Sequence, residues 1–62
     1  MSMQTELNTI TSTLNELATR ITTLVETEGA EMPSDTYTEL IAAERTIGTL
    51  LRRLNRVAGR IN

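Results

Sequence analysis

The sequence predicts an all-α protein, an antiparallel two-helix hairpin of coiled-coil character that dimerises into a four-helix bundle. Three observations point there. Aliphatic residues recur at heptad spacing in both halves of the chain. One cluster of helix-breaking residues separates the halves. When the chain is folded back at that cluster, the two heptad rows fall into register.

The clearest row lies in the second half, where Leu40, Ile47, Leu54 and Ile61 are spaced seven apart at heptad position d. Tyr37, Glu44, Leu51 and Ala58 fill the complementary position a. A seven-residue repeat held this long identifies a helix, since side chains spaced by seven return to one face. The first half repeats the pattern, with Met3, Ile10, Leu17 and Leu24 at d and Leu7, Leu14 and Ile21 at a. Threonines crowd this segment, and β-branched residues lose side-chain freedom in a helix. Its helicity must therefore come from burying its apolar face against a partner. A strand reading of Thr9-Ile10-Thr11 fails because the alternation does not continue through Ser12-Thr13.

The predicted first helix runs over about 3–28, the loop over about 29–34 and the second helix over about 35–61, within one domain spanning 1–62. Ser2 is placed to cap the first helix through its hydroxyl. Gly29 suits the left-handed residue that closes a helix, and Pro33 cannot continue one. Ser34, Asp35 or Thr36 could cap the second helix, and Thr36 with Glu39 has capping-box spacing. So short a connection makes the helices antiparallel neighbours. Folding back then sets Met3 against Ile61, Ile10 against Leu54, Leu17 against Ile47 and Leu24 against Leu40. Position a pairs Leu7 with Ala58, Leu14 with Leu51 and Ile21 with Glu44 without slippage.

The second helix is apolar beyond this seam, because Ala43, Leu50 and Val57 occupy g and Ile41 occupies e. A stripe that wide belongs to a bundle core and not to an isolated pair of helices. With 62 residues and no Cys or His, neither disulfides nor Cys/His metal sites can supplement a small core, which leaves self-association. The expected oligomer interface is Leu40, Ala43, Ile47, Leu50, Leu51, Leu54, Val57 and Ile61. The occupant is a second copy, giving a homodimer, or a helix of another protein.

Enzymatic function is not expected, and no catalytic, cofactor-binding or metal residue is assigned. Histidine and cysteine, the usual base and thiol nucleophile, are missing, and the threonines and serines have no evident activating partner. No phosphate-binding glycine motif appears. The longest apolar run, Leu40-Ile41-Ala42-Ala43, is far too short to span a membrane. The expected setting is the cytoplasm, and the expected role is that of a bacterial or phage interaction or regulatory module.

Two polar features stand out. Glu44 occupies a seam position, where Arg20 is a plausible partner and escape to solvent the simpler outcome. Gly48 at e lies level with Ala18, and two small residues there would allow close helix approach. Arg45, Arg52, Arg53, Arg56 and Arg60 form the one candidate surface for an anionic partner. They could bind nucleic-acid phosphates, complement the helix dipole, or pair with Glu6 and Glu16 on the returning helix. No aromatic residue accompanies them for base stacking. In length and layout the chain resembles the Rop-type hairpins that dimerise into four-helix bundles, which implies nucleic-acid binding as an alternative. A scaffolding subunit of a larger assembly is a third. No functional residue is carried over from that resemblance.

Overall fold

A computed structural model describes residues 2–61; the domain limits expected at 1 and 62 lie outside the described residues. It contains two helices, α1 (Met3–Glu28) and α2 (Ser34–Arg60), packed side by side as a helical hairpin. The helix limits agree with those expected from the sequence to within one residue.

α1 starts where Ser2 accepts a hydrogen bond on Oγ from the Thr5 amide at 3.1 Å. The helix ends without the left-handed glycine. Gly29 stays right-handed at φ −58° and ψ −37°, and its amide donates to the Val25 carbonyl at 2.9 Å. A glycine is nonetheless suited to this position because of crowding. A Cβ there would overlap the Val25 carbonyl oxygen and lie 3.3 Å from Tyr37 Cε2. The amides of Glu31 and Met32 then close the turn on the Glu28 carbonyl.

None of the three expected side-chain caps opens α2. Pro33 takes the N-cap position with φ −56° and ψ 148°, and its carbonyl accepts from the Tyr37 amide at 3.0 Å. Proline suits this place because its fixed φ turns the chain into the helix. Ser34 thus becomes the first helical residue, one turn too early for Thr36 and Glu39 to form a capping box. Asp35 Oδ1 accepts from the Thr36 amide at 2.9 Å instead.

Seven threonines turn their hydroxyls back onto their own helix. Thr9, Thr11, Thr19, Thr27, Thr38, Thr46 and Thr49 each donate to a carbonyl three or four residues earlier, at 2.8–3.2 Å. This arrangement reconciles a threonine-rich α1 with helicity, since the hydroxyl is satisfied without leaving the helix.

Packing between the helices follows the expected a row of α1 but not its d row. Leu7, at 9% exposure, is the most enclosed apolar side chain, and Leu14 and Ile21 are half-buried. Their companions in the seam are Gln4, Thr11, Ala18 and Val25, one step around the helix from d. Ile10, Leu17 and Leu24 keep 42–44% of their surface exposed. The small side chains of Thr11 and Ala18 let α2 approach on that side, so α1 rolls toward it. On α2 the seam comprises Leu40, Ile41, Glu44, Ile47, Gly48, Leu51, Leu54 and Ala58. Gly48 does face the seam, but a Cβ there would meet only Arg52 Nη1 at 3.8 Å, so close approach does not demand glycine.

The result is a rod of 44 × 16 × 13 Å with a radius of gyration of 14.3 Å. A compact chain of this length would have a radius near 10.6 Å. The accessible surface is 4784 Å². A compact monomer of the same mass exposes about 4,000 Å².

Candidate functional site

A hairpin has one seam between its helices, and each helix here carries an apolar arc wider than that seam. The excess collects on one broad face. Leu17, Arg20, Ile21 and Leu24 of α1 line a groove there with Ile47 of α2. The opposite broad face is polar, with Thr11, Ser12 and Asn15 set against Leu51 and Asn55. Ile47 therefore borders the apolar face and Leu51 the polar one. Ala43 and Leu50 flank Ile47 on the side away from Leu51, so helical geometry puts them, with Val57 one heptad on, on the apolar face.

The eight residues expected at an interface consequently divide. Leu40, Ile47, Leu51 and Leu54 are half-buried within the hairpin, while Ala43, Leu50, Val57 and Ile61 remain exposed. Leu50 keeps 44% of its surface and Val57 39%. The structure adds Met3, Ile10, Leu17 and Leu24, which the sequence had assigned to the internal seam. Their signal was present in the d row of α1. What the periodicity lacked was any indication of which neighbour covers that row.

Glu44 is half-buried, and its carboxylate Oε1 is hydrogen-bonded to Thr22 Oγ1 across the two helices. Arg20, the partner suggested by the sequence, lines the apolar groove instead. Thr22 Oγ1 also lies 3.1 Å from the Ala18 carbonyl. The carboxylate in the seam is thus held by a neutral hydroxyl, which costs less desolvation than an ion pair would.

The arginines are exposed and only partly gathered. Arg53, Arg56 and Arg60 surround Val57 in one shallow depression near the end of α2. Arg52 donates to Thr49 Oγ1 at 3.3 Å. Arg45 lies apart, beside Tyr37, Thr38, Ile41 and Ala42 on the edge nearer the loop. Among the described residues, no group of three carboxylates, histidines or cysteines is placed to hold a metal, and no helix is long and apolar enough to cross a membrane.

Geometry defines a class here, a helical hairpin with one polar and one unpartnered apolar face. Compared with family models, curated proteins and solved structures, the chain matches none of them.

Proposed function

We propose that the protein is a non-enzymatic interaction module that acts as a homodimer, two hairpins closing into a four-helix bundle through their apolar faces. The observation that supports this best is the row of half-exposed aliphatics shared by α1 and α2. The hairpin's total surface of 4784 Å² supports the choice of a second copy as occupant. The hairpin exposes about 800 Å² beyond a compact monomer, close to what each partner contributes to a standard interface. A cytoplasmic setting and a regulatory role in a bacterium or phage belong to the same proposal. The test of the core claim is sedimentation equilibrium at micromolar concentration, with a dimer expected. Leu17→Asp and Leu50→Asp should give monomers. A wild-type monomer that keeps its helicity on dilution would sink the proposal, open-ended oligomers would favour a scaffolding subunit, and a stable complex with another helical protein would replace the second copy.

A second reading, binding of an anionic partner such as nucleic acid, is favoured by the gathering of Arg53, Arg56 and Arg60 in one depression. Binding should then weaken steeply with salt and disappear on reversing these three charges. Affinity that is indifferent to salt would dismiss it.

A further inference from the structure

Charge is sorted along the rod. The loop end carries Glu26, Glu28, Glu31, Asp35 and Glu39 with no arginine among them. The open end carries Arg52, Arg53, Arg56 and Arg60 against Glu6 alone. The middle, with Glu16, Arg20, Glu44 and Arg45, is balanced. The net charge of −2 thus conceals a surplus of acid at one end and of base at the other.

We propose that the two copies join with the loop end of each beside the open end of the other, about a two-fold axis that crosses the rod at Leu50. This rests on the self-association proposed above and adds its direction and register. The apolar rows themselves locate the axis. On α1 the row Met3, Ile10, Leu17 and Leu24 is centred between Ile10 and Leu17. On α2 the row Ala43, Leu50 and Val57 is centred on Leu50. These centres lie at one level of the rod, because Thr11, Ser12 and Asn15 share a groove with Leu51 and Asn55. One axis therefore satisfies both rows. It lays α1 on the partner's α1 and α2 on the partner's α2, each antiparallel. Leu50 meets the partner's Leu50, Ala43 meets the partner's Val57, and Ile10 meets the partner's Leu17.

The rims agree with this register. Heptad position c of α2 borders the row, and the axis brings Glu39 opposite the partner's Arg60. Position g of α1 borders the other row, and there Glu6 comes opposite the partner's Arg20. Each pair occurs twice in the dimer. The opposite arrangement, loop end beside loop end, keeps Glu6 near the partner's Arg60 but sets the five acids of one copy against the five of the other. Within a screening length of about 8 Å at physiological salt, that repulsion disfavours it.

Because the chain has no cysteine, single substitutions report proximity without background. Leu50→Cys should form a disulfide-linked dimer on mild oxidation. Ala43→Cys and Val57→Cys should each stay uncrosslinked alone and crosslink when mixed. Glu39→Arg or Arg60→Glu should each weaken the dimer roughly tenfold, since either change turns two attractive rim pairs repulsive, and the double variant should recover wild-type affinity. If Leu50→Cys fails to self-link while its mixture with Leu17→Cys does link, the direction is wrong though self-association stands. No recovery in the double variant would also overturn the register. A protein monomeric at every concentration removes the underlying dimer as well.

Discussion

Leu50→Ala separates a row that merely lies on the surface from one that is covered. In the isolated hairpin Leu50 is 44% exposed, so just over half of its side chain is already hidden. Truncation to alanine removes three carbons, worth about 2.4 kcal/mol when fully buried, which scales to about 1.3 kcal/mol at this site. In a closed dimer the same side chain is enclosed and leaves a cavity, which raises the cost to about 2–5 kcal/mol per chain. The loss should also depend on protein concentration, because dissociation and unfolding are then linked. Urea denaturation followed by far-ultraviolet circular dichroism, at concentrations a hundredfold apart, reads both quantities. Leu7→Ala provides the internal standard, since Leu7 is enclosed in the hairpin itself. A dimer predicts comparable losses at Leu7 and Leu50. A loss near 1.3 kcal/mol at Leu50, with a midpoint that ignores concentration, would refute the reasoning.

Three further substitutions probe the hairpin itself. Gly48→Ala should stabilise it by about 0.5–1 kcal/mol, because the added methyl meets only Arg52 Nη1 at 3.8 Å; a lower melting temperature would show that the site needs closer packing. Gly29→Ala should do the reverse despite an ordinary helical φ, costing on the order of 1 kcal/mol through collision with the Val25 carbonyl; thermal melts of the two alanine variants should move in opposite directions. Thr22→Val keeps the shape but withdraws the hydroxyl from Glu44, and should cost about 1–3 kcal/mol in chemical denaturation; an unchanged midpoint would mean that Glu44 is satisfied by water.

Local chemistry made much of the fold legible. The heptad rows placed both helices, Ser2 announced its own cap, and the breakers between Glu28 and Ser34 marked the turn. Misreadings arose where local chemistry had more than one solution. Pro33 and Thr36 are both plausible helix starts, and the prolyl carbonyl took the role one turn earlier. Gly29 was read for its freedom to turn left-handed, whereas its value is the missing Cβ beside Val25 and Tyr37. The larger shift concerns Ile10, Leu17 and Leu24. Periodicity identifies them as one apolar edge of α1, but whether that edge or its neighbour faces α2 depends on the bulk of Thr11 and Ala18. A small rotation of one helix decides it, and no spacing rule encodes that rotation. The anionic-partner surface shows the same limit, because helical spacing groups Arg45 with Arg52 while the side chains gather only Arg53, Arg56 and Arg60.

The inward-turned threonines bear on how the outer surface meets anything in solution. A hydroxyl has a single proton, and in seven of these residues a helix carbonyl already receives it. What remains outward is a methyl group and an oxygen lone pair. Together with the carboxylates, this tilts the exterior toward acceptors, the donors being the arginines, the side-chain amides and the remaining hydroxyls such as those of Ser12, Thr13 and Tyr37. Water is indifferent to that bias, since it donates as readily as it accepts. A protein surface is not, and one that docks on the threonine-lined faces gains by bringing N–H and O–H groups of its own.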